Sequence, residues 1–349
     1  MKSFKNFIIT IFLTLIMTFG TLCLASKLFI PKWIDHECNM MSYIVKGFYE
    51  EEKNTLDVLF TGNSDVYRGV SPMALYNEYG ITSYNFVSSG QRMWIAYAML
   101  EEALKYQNPK IVFFNVDELY YTSKTNGGAH KVYDNMLFGK AKINAILDSN
   151  YERPFIEKLS HFLPIFTYHD RYKELTALDF KYAFKNYSNP TKGMDLVAIQ
   201  KSLIYDENYM KKTDEVRKIP DKNIEYLDKM RELCQSKEIE FILVSIPSPD
   251  SWSYKNHNAV EAYAQEYNLK FLDLNLELDE IGINWDLDTS DGGDHLNVYG
   301  AEKVALYLGK YLTENYEFKN YKDDINYSNW NDDYQKYLEI KNKEIELSK

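Results

Sequence analysis

Short apolar segments alternate with amphipathic segments along most of this chain. Apolar runs with the length and composition of β-strands occur at 56–61, 83–87, 111–116, 239–246 and 269–274. Apolar residues recur at helical spacing between them, at 72–79, 93–106, 258–267 and 298–312, and a further helix follows residue 222. This alternation predicts a parallel sheet with helices on both faces, in which ligands bind at the carboxyl ends of the strands.

The alternation stops between residues 121 and 220. This stretch is rich in aromatic residues and scattered prolines and has helical patterns but no series of strands. We expect it to be a helical insertion that packs over the sheet and forms one wall of a cleft. The last segment, 316–349, is polar with mixed charges, which predicts a solvated helix or a partly disordered tail. The predicted α/β domain, with its insertion, therefore covers 32–315.

The N-terminus carries a different pattern. Phe7–Ala25 is an apolar stretch of 19 residues without a charge, preceded by Lys2 and Lys5. At a helical rise of about 1.5 Å per residue it would span roughly 28 Å, close to the hydrocarbon thickness of a bilayer. We interpret 1–31 as a signal-anchor helix with a cytoplasmic N-terminus, so that the remainder lies outside the cytoplasm. A cleaved signal peptide and a buried helix of a soluble protein are the alternatives.

Composition and charge narrow the possible partners. The chain has 40 basic and 51 acidic residues, a net charge of −11, and no block of basic residues, which argues against binding to nucleic acid. The three cysteines, Cys23, Cys38 and Cys234, have no metal-ligand spacing. We therefore predict neither a metal nor a cofactor.

Two polar motifs fall where an α/β protein does its chemistry. Gly62 and Ser64 follow the first strand, and Ser64 would project from its carboxyl end. His295 precedes the last helix and has Asp294 and Asp291 one and four residues before it, which suits a general base oriented by an acid. Each motif also has a purely structural interpretation: the first could be an ordinary tight turn, and the second could be a capped helix start. The loops that carry them can meet at one edge of a doubly wound sheet, which would bring a serine nucleophile to a His/Asp pair.

The ordered set of motifs resembles the SGNH (GDSL-type) hydrolase superfamily. Residues 62–64 (Gly-Asn-Ser) stand where that family has Gly-Asp-Ser, and 85–90 (NFVSSG) is similar to its second block. Residues 291–297, with Gly300 after them, are similar to its last block. The similarity covers roughly 55–125 and 220–315. It implies a flavodoxin-like three-layer α/β/α parallel sheet, the SGNH hydrolase fold, and it leaves the insertion unexplained.

The resemblance also implies roles for individual residues. Ser64 would be the nucleophile and His295 the base, while the backbone N–H groups of Ser64 and Gly90 would form the oxyanion hole. The family's aspartate usually precedes its histidine by three residues, a position that holds glycine here. Asp291 is one residue too far and Asp294 is adjacent, so either would orient His295, with Asp291 slightly favoured.

The third block departs from the family pattern. A Gly-x-Asn-Asp motif normally supplies an asparagine to the oxyanion hole, but residues 115–118 read Asn-Val-Asp-Glu. Asn115 lies too early on the strand for this role, so the third oxyanion donor is expected to be absent or replaced. Other polar residues near the two motifs, and two in the insertion, are therefore candidates for oxyanion or substrate contacts. For the insertion pair the alternative is an ordinary surface helix end. These candidates are Asn63, Gln91, Arg92, His169 and Arg171.

The combination of an anchor, an insertion and a serine site resembles exported proteins that work beside membrane-bound O-acyltransferases, of the lipoteichoic acid D-alanylation type. This resemblance implies acyl-ester chemistry on a cell-envelope or secreted glycan, by hydrolysis or by transfer to a sugar hydroxyl. It also implies a membrane-bound O-acyltransferase as partner. The alternative is a non-catalytic glycan-binding or scaffold subunit of such a complex, in which the altered third block reflects lost activity.

Overall fold

The computed structural model describes residues 2–32, 41–122, 128–185 and 188–349. Its centre is a sheet of five parallel strands in the order β2-β1-β3-β4-β5. This is the flavodoxin-like order, which confirms the predicted doubly wound α/β fold. The strands are β1 (Val58–Thr61), β2 (Ser83–Asn85), β3 (Ile111–Asn115), β4 (Glu240–Ser245) and β5 (Lys270–Asp273).

Fifteen α-helices lie in the described parts of the chain, and short 3-10 turns follow β3, α9 and β5 and precede the last helix. The helices are α1 (Lys2–Phe29), α2 (Met41–Phe48), α3 (Ser64–Gly69), α4 (Pro72–Tyr79), α5 (Met93–Ala103), α6 (Ala129–Tyr133), α7 (Lys140–Leu147), α8 (Phe155–Ser160), α9 (Ile165–Tyr168), α10 (Ala177–Ala183), α11 (Asp221–Gln235), α12 (Tyr254–Tyr267), α13 (Leu278–Ile281), α14 (Val298–Asn315) and α15 (Ser328–Leu347).

Two apolar layers hold the sheet between its helices. Strand side chains alternate between the faces, so Phe60 and Phe113 pack with α3 and α14, while Leu59 and Phe114 pack with α5, α11 and α12. Strands β1 and β3 are buried along their whole length. This burial explains their almost continuous apolar sequence, as expected of strands covered on both sides.

The insertion has two structurally different parts. Its helices α6–α10 occupy 129–183, where α7 packs against α5, α6 against α2, and α9 and α10 against α1. The described residues between 188 and 219 form neither helix nor strand. Part of this extended segment runs beside the loop before α14, because the amides of Lys201 and Ile204 donate to the carbonyls of Thr289 and Gly292 at 3.0 and 2.9 Å. The extended segment, and not the helices, therefore borders the predicted site.

The C-terminal tail was predicted to be a solvated helix or partly disordered, and it is a helix that is packed against the domain rather than solvated on all sides. Residues 328–347 form α15, and its Trp330 and Tyr337 are buried in the main core. Tyr337 also accepts a hydrogen bond from the Ser71 hydroxyl at 3.1 Å. The tail is thus part of the folded domain, although most of its other side chains are polar.

Helix α1 contains the predicted anchor. Within the described residues it is the one helix long and apolar enough to cross a membrane, by length and composition. Most of its side chains are exposed up to residue 25, and its last turns contact α9 and α10. Exposure of a long apolar helix argues against the alternative of a buried helix in a soluble protein. The described residues do not include Cys38.

Candidate active site

The first part of the site is the turn between β1 and α3. Gly62 has φ of +138°, and a Cβ there would lie 2.7 Å from the Cβ of Asn115, so the turn requires glycine. Asn63 caps α3 by accepting the amide of Asp65 at 3.2 Å. Ser64 is therefore the first residue of α3, half-buried at the carboxyl edge of the sheet.

The second part is the loop before α14. The Asp291 carboxylate accepts both the Nδ1 of His295 and its backbone amide, each at 2.7 Å. An Asp294 oxygen lies 3.2 Å from the same Nδ1. Asn297 caps α14 by accepting the amides of Tyr299 and Gly300, at 3.0 and 3.2 Å. The predicted helix cap is therefore present, and the His/Asp pair lies immediately before it.

The loop reaches this geometry because two glycines let it turn back on itself. Gly292 and Gly293 have φ of +90° and +116°, and both are buried. A Cβ on Gly293 would lie 2.5 Å from Leu203 of the extended segment. Ser248 lies in the loop after β4, and its hydroxyl donates to the Asp294 carbonyl at 2.8 Å. The spacing that departs from the family pattern is thus accommodated by a wider loop that brings Asp291 to His295.

The two parts meet across the sheet edge. The Nε2 of His295 lies 3.9 Å from an Asp65 carboxylate oxygen, and Asp65 is the residue next to Ser64. Among the described residues, no hydrogen bond joins Ser64 to His295. Catalytic hydrogen bonds are often long or poorly aligned before substrate binds, so this distance does not exclude the pair. The His295 side chain is 19% exposed and is thus accessible from solvent.

Charges around His295 set its protonation. Burial lowers the pKa of His295, but the hydrogen bond to Asp291 and the charges of Asp65 and Asp294 outweigh it, so the pKa of His295 is raised. For Asp291, burial opposes the shift and the two hydrogen bonds from His295 prevail, so its pKa is lowered. Burial raises the pKa of Asp294 to about 6. Of the two aspartates, Asp291 is thus the better placed to hold a charge beside Nδ1.

A group of buried carboxyls lies behind Ser64, and the sequence did not reveal it. Asp65 and Asp117 are buried, and Asn115 Nδ2 lies 3.4 Å from a carboxylate oxygen of each. Burial raises the pKa of both, and the Asp65 charge raises that of Asp117 further. Burial likewise raises the pKa of Glu118 well above its usual range. The sequence could have indicated this group only if β1 and β3 had been recognised as neighbouring strands, because residues 65, 117 and 118 follow the ends of those two strands.

The oxyanion candidates have the following partners. Asn115 Nδ2 donates to Asn63 Oδ1 at 2.8 Å, and Asn115 Oδ1 accepts the Ile246 amide at 3.2 Å, so its side chain is held inside the turn. Asn63 Nδ2 in turn donates to the Tyr121 hydroxyl at 3.1 Å. Gly90 has φ of +54° and open space where a Cβ would point.

The side chains of the two residues after Gly90 also make local contacts. Gln91 is buried, accepts the Ser88 hydroxyl at 2.8 Å, and has an Nε2 without a hydrogen-bond partner among the described residues. Arg92 donates to the Gly90 carbonyl at 2.7 Å and stacks over the Tyr121 ring at 5.2 Å. Contacts of Gln91 or Arg92 with substrate stay predictions.

The two insertion candidates lie elsewhere. Arg171 donates to the Phe29 carbonyl at the end of α1 and to Asp179 of α10, the latter at 3.1 Å. The His169 side chain is exposed and bonds the Phe166 carbonyl at 3.1 Å. The described residues include no contact of either side chain with Ser64 or His295, so the structure places this pair beside α1.

Two groups of His and carboxylate side chains have ligand atoms within 4.8 Å of one another, namely Asp65 with Asp294 and His295, and Asp134 with His130 and His161. In the second group both Nδ1 atoms hydrogen-bond the Asp134 carboxylate, at 3.1 and 3.2 Å. Hydrogen bonds account for the geometry of the second group, whereas in the first group His295 Nε2 is 3.9 Å from Asp65.

Comparisons with known proteins gave structural likenesses only. No protein-family model and no curated protein matches the chain. Three similar crystal structures are a protein assigned to the lipolytic G-D-S-L family from Desulfitobacterium hafniense, one assigned as an acylhydrolase from Bacteroides fragilis, and a GDSL-like lipase from Bacteroides thetaiotaomicron.

All three are 13% identical to this chain. The alignments cover 73%, 80% and 74% of this chain and 98%, 98% and 87% of the other, with TM-scores of 0.36, 0.38 and 0.34. At these scores the likeness establishes no activity. The function is therefore inferred from the strand order of this chain and the geometry around His295, and not from these likenesses.

Proposed function

We propose that this protein is an extracytoplasmic serine-dependent enzyme that acts on acyl esters, as an esterase or an O-acyltransferase. The observation that carries the proposal is the His295–Asp291 hydrogen bond of 2.7 Å, with the opposite ring nitrogen facing the start of α3, where Ser64 lies. A base held on one side by a carboxylate and open to a hydroxyl on the other is the arrangement that serine hydrolysis and acyl transfer need.

The proposed reaction is a double displacement. The Ser64 hydroxyl attacks the ester carbonyl and passes its proton to His295 Nε2, while Asp291 stabilises the resulting imidazolium. The backbone N–H groups of Ser64 and Gly90 would bind the oxyanion, and such a donor is worth about 3–4 kcal/mol in the transition state. His295 then protonates the leaving oxygen. Water or a sugar hydroxyl, deprotonated by His295, finally attacks the acyl-serine; the bond to Ser64 breaks, the acyl group leaves on the new oxygen, and His295 returns the proton to Ser64.

The proposed substrate is an O-acylated cell-envelope or secreted glycan. Support comes from α1, an exposed apolar helix that would hold the domain at a membrane surface as a single-pass anchor. We extend the proposal to a membrane-bound O-acyltransferase as the partner that supplies or receives the acyl group. The net charge of −11 favours a substrate that is not densely anionic.

The first test is release of 4-nitrophenol from its acetate ester by the full chain in detergent. Ser64→Ala and His295→Ala should each abolish turnover, whereas Ser236→Ala, which changes an exposed serine at the end of α11, should leave it unchanged. A fluorophosphonate probe should label the parent protein and fail to label Ser64→Ala. Turnover or labelling that survives Ser64→Ala would overturn the assignment.

Transfer and hydrolysis are then separated by the second nucleophile. An oligosaccharide acceptor should accelerate 4-nitrophenol release and become acetylated if the enzyme is a transferase, and should do neither if it is an esterase. A protein that is neither labelled nor active on any ester would instead fit the non-catalytic glycan-binding or scaffold subunit.

A further inference from the structure

Helices α9 and α10 pack against α1, α8 packs against α9, and the three helices expose large apolar side chains. The Ile165 amide at the start of α9 donates to the Ser26 hydroxyl of α1 at 3.1 Å, so these helices adjoin the last turn of α1. An exposed apolar surface next to an apolar helix marks a contact with another phase or partner. Five of these side chains are at least 60% exposed, namely Phe155, Ile156, Phe166, Phe180 and Phe184.

A cavity of about 320 Å³ opens beside the end of α10, and three lysines from separate parts of the chain line it. Lys27 belongs to α1, Lys46 to α2, and Lys185 follows α10. Apolar side chains, Ile30 and Phe184 among them, line the cavity as well. The cavity thus combines cationic and apolar walls, and it lies where α1 passes from its apolar stretch to the folded domain.

The charges in this cavity favour an anion. Lys46 is half-buried; burial and then the positive charge of Lys27 lower its pKa to about 8, and the charge of Asp134 opposes this shift. Glu50 and Asp134 also line the cavity, but Asp134 already accepts hydrogen bonds from Tyr168 at 2.7 Å and from two histidines. A phosphate bound between the lysines would offset the repulsion between Lys27 and Lys46 that contributes to this lowered pKa.

We propose that α8–α10 rest on an anionic lipid bilayer around α1, with the phosphate of one lipid headgroup bound between Lys27, Lys46 and Lys185. The proposal rests on the anchoring role of α1 proposed above and goes beyond the ester chemistry. A bilayer is the occupant that fits, because the surface continues from an apolar helix of membrane-spanning length, and because aromatic side chains with basic residues are typical of membrane interfaces.

The headgroup site is tested by native mass spectrometry of the full chain, released from detergent with equal amounts of phosphatidylglycerol and phosphatidylcholine. The parent should retain phosphatidylglycerol in preference. The triple variant Lys27→Gln, Lys46→Gln, Lys185→Gln should retain at least about tenfold less, since each lysine near an anionic surface contributes to binding. The control replaces three exposed lysines elsewhere with Gln and should retain lipid as the parent does: Lys211, Lys212 and Lys237.

The position of the helices is tested in nanodiscs made with brominated lipids. Phe166→Trp and Phe180→Trp should each add tryptophan fluorescence that the bromines quench. Val216→Trp, at an exposed apolar residue of the extended segment, should add fluorescence that they do not quench. Unquenched fluorescence from both phenylalanine positions would overturn the proposal.

Three other results would indicate that the cavity and the apolar surface bind something other than an anionic lipid. Equal retention of the two lipids, displacement of phosphatidylglycerol by glycerol 3-phosphate, or a lipid-free dimer of the chain would each overturn the headgroup site. The triple variant should keep the parent's rate on the ester substrate, so loss of lipid binding is distinguishable from failure of the proposed enzyme. If α1 is not an anchor, the parent chain will fail to enter nanodiscs at all.

Discussion

His295 lies between two carboxylates: Asp291 accepts its Nδ1 at 2.7 Å, and Asp65 approaches its Nε2 to 3.9 Å. The first contact orients the ring. The second places a buried negative charge on the side from which a serine proton must arrive. Both favour the imidazolium form of the ring, so together they stabilise the charged intermediate and raise the pH at which the resting base becomes neutral.

We predict that Asp65→Asn moves the acid limb of the pH profile of kcat/KM to lower pH. The general base is active when neutral, and removal of the Asp65 charge lowers the pKa of His295, so the neutral form persists to lower pH. The shift should be about one pH unit, the low end of what an opposite charge at this range causes. Asp286→Asn, at an exposed residue, is the control. An acid limb that stays in place or moves to higher pH would contradict the assignment.

The two aspartates near Nδ1 should differ in their effect. Asp291→Asn removes the closer carboxylate, and we expect kcat/KM to fall about 100-fold or more, as for loss of the acid that orients a catalytic histidine. Asp294→Asn should cost less than about tenfold, because burial raises the pKa of Asp294 to about 6 and weakens its hold on Nδ1. Steady-state kinetics of both variants decide between them. The opposite order would assign the orienting role to Asp294.

Much of the fold followed from local patterns. The predicted helix over 72–79 has those bounds, because Ser71 caps it and Gly80 ends it in the left-handed region. The predicted strands all lie in one sheet, because apolar runs between amphipathic helices have few other solutions. Helix α15 was missed as a packed element because its two buried aromatic residues, Trp330 and Tyr337, are seven positions apart in a charged segment.

Only the parts of the site that lie in single sequence motifs could be predicted. Ser64 and His295 were found because glycine turns and helix starts mark strand ends in the sequence. Asp65 escaped notice because its contact with His295 depends on which side of the six-residue α3 faces the last loop. The aspartate pair with Asp117 depends on the register of β1 and β3, which the sequence does not specify residue by residue.

Substitution of Gly62 tests whether the turn before Ser64 is as constrained as its geometry indicates. We expect Gly62→Ala to destabilise the protein by about 2–4 kcal/mol, because it adds a Cβ against Asn115 at a positive φ. Gly139→Ala is a matched control, since the nearest atom to a Cβ there is the end of a lysine side chain at 3.9 Å. Thermal unfolding measured by circular dichroism gives both values. Equal melting temperatures for the two variants would show that the turn can relax.

Lys192 ties the tail to the rest of the domain. Its side chain is 2% exposed, and its Nζ lies 2.8 Å from both Glu51 and Asp333 of α15 and 4.4 Å above the Trp330 ring. Lys192→Met would leave two buried carboxylates without their cation, and we expect a loss of about 3–5 kcal/mol in the free energy of unfolding at pH 7. Burial already raises the pKa of Glu51, and loss of the lysine raises it further.

The loss from Lys192→Met should therefore depend on pH. Below the raised pKa of Glu51 in the folded variant this carboxyl binds a proton, so the penalty shrinks as the pH falls and grows as the pH rises. Lys336→Met is the matched control, because Lys336 also bonds Asp333, at 3.1 Å, but is 52% exposed, and it should cost less than about 1 kcal/mol. Urea unfolding of both variants at pH 5 and pH 8 measures the difference. If Lys192→Met cost no more than Lys336→Met at pH 8, the buried ion cluster would not be what holds α15 in place, and the packing of Trp330 and Tyr337 alone would have to account for it.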